Sequence, residues 1–158
     1  MLTARIRIGN SNVQDTRYYG LVYLSSDNIV GPPSKGFEET SYPEQGGVNV
    51  CPKTVDDAFD YKVTFFIQED SLDNANEKIR KFNRLLYDIT PDSDVKTYKK
   101  VYFYNDYKNQ MIVGYPKPMS EAKDFWRDPR HNVQDVVIVE WTIRVANPGE
   151  CNFSTVLE

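Results

Sequence analysis

The stretch Phe59-Asp60-Tyr61-Lys62-Val63-Thr64-Phe65-Phe66-Ile67 decides the fold. Phe59, Tyr61, Val63, Phe65 and Ile67 are apolar at every second position, with Asp60, Lys62 and Thr64 between them. Side chains of an extended chain alternate between two faces, so this pattern predicts a strand with one face buried. The pattern recurs near the C-terminal end. There Val137, Val139, Trp141, Ile143 and Val145 alternate with Glu140, Thr142 and Arg144, predicting the longest strand, central in its sheet and ended by Pro148-Gly149.

Outward from these two strands the signals are shorter. Leu2, Ala4, Ile6 and Ile8 alternate with Thr3, Arg5 and Arg7, so the chain opens on a strand rather than on the apolar block of a signal peptide. Residues 18–24 (YYGLVYL) are apolar on both faces and predict a strand covered on each side. Residues 98–104 and 111–115 flank Asn105-Asp106, a turn pair, and predict a β-hairpin. A single helix is expected. Leu72, Ala75, Ile79, Phe82, Leu86 and Ile89 recur at steps of three and four, the spacing of one helical face. Asp70 or Ser71 is placed to cap it, Glu77 to pair with Lys81, and Pro91 to stop it. A stripe this regular is core packing against a sheet. The fold class is therefore mainly β (α+β), with one helix.

Two stretches lack periodicity, residues 25–53 and 116–132, and loops of that length in a compact domain tend to be functional or disordered. Phe37, Tyr42 and Val48 in the first and Phe125 and Trp126 in the second are the candidate interface residues, because buried aromatic anchors often carry most of the binding energy at an interface.

A length of 158 residues fits one domain, taken as 1–148, with 149–158 as a C-terminal tail. No apolar run approaches the roughly 20 residues that span a bilayer, and no membrane partner is expected. Lys and Arg total 19 against 23 Asp and Glu, and the formal charge of −4 argues against a specific nucleic-acid grip, which needs concentrated basic surface. The aromatic share of 13% suits strands, where aromatic and β-branched side chains pack well. Together these expectations describe an intracellular protein or one released without a signal.

The search for chemistry predicts no enzyme, no cofactor and no metal. Cys51 and Cys151 are read as free thiols in a reducing cytosol, with a disulfide as the alternative; with His131 they are three isolated residues, whereas a structural zinc site usually takes four ligands in closely spaced pairs. No Gly-rich phosphate cradle occurs. His131 has Asp128 and Asp135 nearby, but no serine carries a nucleophile motif, so a surface histidine is the better reading. Asp88, Asp92 and Asp94 around Pro91 lack the order of a calcium loop. Tyr102, Tyr104, Tyr107 and Tyr115, with Trp126 beyond, leave a monomeric carbohydrate-binding β-sandwich as the alternative function.

The order of elements, with several local phrases, resembles the N-terminal domain of phage distal tail proteins, a family related in fold to tail-tube subunits. Ser41-Tyr-Pro-Glu-Gln-Gly-Gly-Val-Asn-Val50 is similar to the family's Pro-Gly-Arg-Asp-Gly phrase, with Pro43 and Gly47 in place and Glu44, Gln45 and Gly46 departing from it. A Tyr-centred strand follows (Asp60 to Ile67), then the helix, the hairpin and the last long strand, and Ala146-Asn147-Pro148 resembles the place where the family leaves this domain. The resemblance covers residues 1–148. It implies an antiparallel β-sandwich or half-barrel flanked by one helix. It also implies a structural subunit of a phage or prophage tail (distal tail, tube or tail-completion ring). Such a subunit is made in the bacterial host cytoplasm, located in the virion tail, and joined to identical copies, hexameric in the family pattern, around a DNA channel beside neighbouring tail proteins.

Overall fold

A computed structural model describes residues 4–27, 38–41, 46, 48–51, 57–123 and 136–153, with the backbone alone for 38–41 and 48–51. Its strands are β1 (Ala4–Ile8), β2 (Gln14–Asp15), β3 (Val22–Ser26), β4 (Glu38–Ser41), β5 (Val48–Cys51), β6 (Phe59–Gln68), β7 (Tyr87–Ile89), β8 (Lys96–Tyr98), β9 (Val101–Asn105), β10 (Gln110–Pro116) and β11 (Val136–Val145). One α-helix, α1 (Leu72–Leu85), lies between β6 and β7. The fold is mainly β, with an antiparallel seven-stranded sheet in the order β2-β1-β9-β10-β11-β6-β3 and one flanking helix. Two separate two-stranded ribbons, β4–β5 and β7–β8, accompany it.

The two strands with the clearest alternation form the middle of one half of this sheet. β6 and β11 pair from Phe59↔Val145 to Gln68↔Val136. Directly opposed residues share a face, so Tyr61, Val63, Phe65 and Ile67 point the same way as Ile143, Trp141, Val139 and Val137. All eight are buried. Helix α1 covers part of this face through Ala75, Ile79 and Phe82, whose ring meets Trp141 edge-on at 5.3 Å.

The sheet rolls over to cover the rest. β10 and β11 share only the pairs Tyr115↔Arg144 and Pro116↔Ile143, so the ladder turns a corner there. A Cβ at Gly114 would collide with the carbonyl oxygen of Arg144, which is why the close crossing of the two strands needs glycine. Past the corner, Phe103 of β9 meets Tyr61 of β6 and Tyr23 of β3, both at 6.1 Å. Strands from the two halves of the order thus face each other over one core. Where the roll brings β3 to the β9–β10 turn, Asn105, 1% exposed, donates to the Tyr23 hydroxyl at 3.1 Å and to Ser26 Oγ at 3.0 Å. Its Oδ1 accepts from the Lys108 N–H, and Lys108 Nζ reaches the carbonyls of Ser26 and Asp27. The buried amide is therefore satisfied on both sides, as a polar group removed from water has to be.

Three local expectations are corrected. The helix ends at Leu85 rather than Ile89, and Pro91 is not its terminator. Tyr87–Ile89 instead pairs with Lys96–Tyr98, and the Leu86 carbonyl accepts from the Lys99 N–H. The hairpin strand accordingly starts at Val101, since Tyr98 belongs to that small ribbon. Tyr18 and Tyr19 are not in a strand. They lie in a 3₁₀ turn, Thr16–Tyr19, with Asp15 at its start and Gly20, at φ 79°, at its end, and the strand that follows is not covered on both faces: Leu24 is exposed. Of the two cap candidates for α1, Ser71 is used, its Oγ accepting from the Asn74 N–H.

The last described residues, to Phe153, fold back on the sheet. Asn152 bridges Met111 of β10 through both backbone groups, and the Phe153 ring lies 6.2 Å from that of Phe59.

Candidate assembly surfaces

Of the residues expected at an interface, Phe37, Tyr42, Phe125 and Trp126 lie outside the described residues, as does His131. Val48 begins β5, its backbone paired with Ser41 of β4, so part of the long stretch 25–53 is a β-ribbon. The described part of the second stretch is a strap, residues 117–122, running from the end of β10 over α1. Asn76 and Asn83, one turn pair apart on the helix, each grip it by both edges of the carboxamide. Asn76 donates to the Ala122 carbonyl at 3.1 Å and accepts from the Ala122 N–H at 2.8 Å. Asn83 does the same to Met119, at 2.9 Å in both directions. A carboxamide used this way imitates a β-ladder step, so a segment without a strand partner has its backbone satisfied by side chains.

Among the described residues, three surfaces of the rolled sheet carry exposed side chains or strand edges. The first is the outer face of β1 and β9, where Arg5 opposes Tyr104 and Arg7 opposes Tyr102. The Arg7 guanidinium sits 3.9 Å from the centre of the Tyr102 ring, a cation–π contact, and its Nε makes no hydrogen bond. Arg5 pairs with Asp106 at 2.8 Å, which raises the arginine pKa through that hydrogen bond. Tyr115 continues the row, 44% exposed.

The second is the outer face of β3, β6 and β11. Its polar end carries Lys62 beside Glu140, and Asp60 held by Arg144 and Lys117, both at 3.3 Å. Burial pushes the Asp60 pKa up, but the hydrogen bonds from Arg144 and Lys117 outweigh it and leave the carboxyl below its ordinary value. Its apolar end carries Phe66 between Val22 and Ile138, and Ile138 is exposed.

The third is the pair of sheet edges. β2 is two residues long, and β3 pairs only with β6 among the described residues, with a bulge between Tyr23 and Ser25. Edge strands present unpaired backbone groups, and shortening or bulging them is how a chain limits indiscriminate pairing.

Among the described residues no group of three or more His, Cys, Asp or Glu side chains is placed to hold a metal ion, and no helix is long and apolar enough to cross a membrane. Cys151 is a free thiol against β10, where its Sγ accepts from the Val113 N–H, and burial raises its pKa. The outer-face arginines were not singled out from sequence as contact residues, although their alternation with Ile6 and Ile8 already placed them opposite the core. Comparison with protein-family models and with curated proteins finds no match.

Proposed function

We propose that this chain is a structural subunit of a phage or prophage tail, a distal tail, tube or tail-completion component that joins identical copies in a ring around a DNA channel. It would be made in the host cytoplasm and reside in the virion tail beside other tail proteins. The observation that carries this reading is the rolled antiparallel sheet that, among the described residues, ends in the edges β2 and β3 and is flanked by one helix. That architecture agrees with what the phrase Ser41 to Val50 and the strand–helix–hairpin–strand order imply by resemblance. Identical copies supply partners for such edges when a ring closes, and a formal charge of −4 suits a lumen that DNA must pass without adhering. Electron micrographs of the concentrated full chain test it. Class averages with rotational symmetry support the reading, and fields of single small particles at every concentration oppose it.

A second reading, a carbohydrate-binding module, is favoured by one observation, the row of Tyr102, Tyr104 and Tyr115 beside Arg7 on an outer face. Glycan binding that is lost with Tyr115→Ala supports it, and an array with no bound glycan removes it.

A further inference from the structure

β10 and β11 pair in one register, Tyr115↔Arg144 and Pro116↔Ile143. The Lys117 N–H carries it one residue further by donating to the Thr142 carbonyl at 2.9 Å. There the strap leaves β11 for α1. Successive residues of a strand turn their backbone groups to alternate sides, so Glu140 and Ile138, two and four residues before Thr142, face the strap as Thr142 does. Among the described residues no backbone group bonds to them on that side. A hollow of about 370 Å³ separates the two runs, with Pro118, Ser120 and Glu121 on one wall and Ile138, Glu140 and Thr142 on the other.

Continued past Thr142, the same register sets Met119 opposite Glu140, Glu121 opposite Ile138, and Lys123 opposite Val136, where β11 begins. The strap suits such a ladder. Pro116 and Pro118 fall at the alternate positions, whose nitrogens point away from β11, so neither removes a donor that the ladder uses. The Met119 N–H and carbonyl that the ladder needs are the groups now bound by Asn83. Among the described residues, side chains alone hold the strap backbone to α1, those of Asn83 and Asn76. The Arg80–Glu121 pair adds a surface ion pair, which contributes little. Met119 itself favours the helix seat. It is 4% exposed in the core, and opposite Glu140 it would share the outer face of the sheet, because directly opposed residues share a face.

We propose that the strap 117–122 is a two-position switch whose second seat is the open edge of β11, where it extends β10 as an edge strand. The Lys117–Thr142 bond is common to both positions and acts as the hinge. The helix seat covers the Asn76–Asn83 face of α1 and leaves the β11 edge bare. The second seat closes that edge and bares the helix face and the socket of Met119. The chain thus offers a strand edge or a helix face, never both, and burial of Met119 makes the helix seat the resting one. The switch belongs to the single chain and stands whether or not copies assemble.

Nuclear magnetic resonance of the full chain tests it, in wild type and in two variants whose folding is checked by circular dichroism. Asn76→Ala/Asn83→Ala removes both carboxamide grips together, since either grip alone keeps the strap on the helix. Met119→Thr retains both grips but removes the burial that opposes the move, and threonine suits the outward strand position. In wild type the Ile138 and Glu140 amides are expected to exchange as open-edge amides do. In a variant that takes the second seat their exchange slows about tenfold or more. An Overhauser effect also appears between the α-protons of Ser120 and Val139, a non-hydrogen-bonded pair in that register, with Cα atoms about 4.5 Å apart. Both signals in either folded variant are the expected result, so one variant that fails to fold leaves the other to decide. Neither variant showing them overturns the switch. So does slow exchange of Ile138 and Glu140 in wild type, because the edge would then already be covered.

Discussion

Asn83 holds Met119 by both edges of its carboxamide, donating to the carbonyl and accepting from the N–H at 2.9 Å in each direction. Seven residues earlier on the same helix, Asn76 holds Ala122 in the same way. After Lys117, whose N–H still bonds the Thr142 carbonyl of β11, the strap is fixed over α1 by these two carboxamides and by the Arg80–Glu121 ion pair.

Replacing Asn83 with alanine should leave both backbone groups of Met119 without a partner in a half-buried site. The expected loss is about 1–3 kcal/mol, the range for abandoning buried donors and acceptors. Urea denaturation gives the magnitude, and faster hydrogen exchange at the Met119 amide identifies the strap as the part released. Asn83→Asp, which retains an acceptor, should keep the Met119 amide more protected than Asn83→Ala.

Gly114→Ala tests the corner between β10 and β11. The added methyl meets the Arg144 carbonyl, which is backbone and cannot rotate away. Overpacking of this kind typically costs about 1–3 kcal/mol, and it should appear as a lower Tm. An unchanged Tm would mean that the crossing is looser than described.

Trp141 is fully buried, and its indole Nε1 has no hydrogen-bond partner among the described residues. Trp141→Phe therefore removes an unsatisfied donor along with some volume. Its cost should fall below about 1.5 kcal/mol, near the limit for tolerated apolar exchanges. Trp141→Ala should cost about 3–5 kcal/mol. Both variants lack the donor, so denaturation of the two side by side gives the cost of the lost ring volume alone.

Burial raises the Cys151 pKa. The folded state then binds its proton more tightly than the unfolded chain. The corresponding stability is fully present below the ordinary thiol pKa and is lost as pH rises through the raised one. In a Cys51→Ser background, alkylation of Cys151 by iodoacetamide at mildly alkaline pH should be slower than that of a free thiol, because less thiolate is present. Alkylation at the free-thiol rate would contradict the burial.

The strands that were legible in sequence are those whose alternation reports their own burial. β6 and β11 show it because their inner side chains are buried, Phe59 at the strand end only partly, and their outer ones mostly carry charge or hydroxyls. The end of the helix was not legible. Leu86 and Ile89 continue the three-and-four spacing, yet Leu86 is buried just after the last turn while Ile89 is exposed on a ribbon. That ribbon forms because residues 96–98 pair with it, and periodicity within one segment carries no information about a partner further along. The turn holding Tyr18 and Tyr19 did leave a signal, Asp15 before it and Gly20 after it, but the apolar run outweighed the caps. The rolled shape depends on contacts such as Tyr23 with Phe103, far apart in sequence and invisible to local patterning. Of the expected interface residues only Val48 lies among those described, and there by its backbone alone.

Sedimentation velocity of the full chain over a wide concentration range tests the central claim, that this rolled sheet finds its remaining partners in copies of itself. The account predicts one discrete oligomer that grows at the expense of monomer as concentration rises. A single monomeric boundary up to millimolar protein would contradict it.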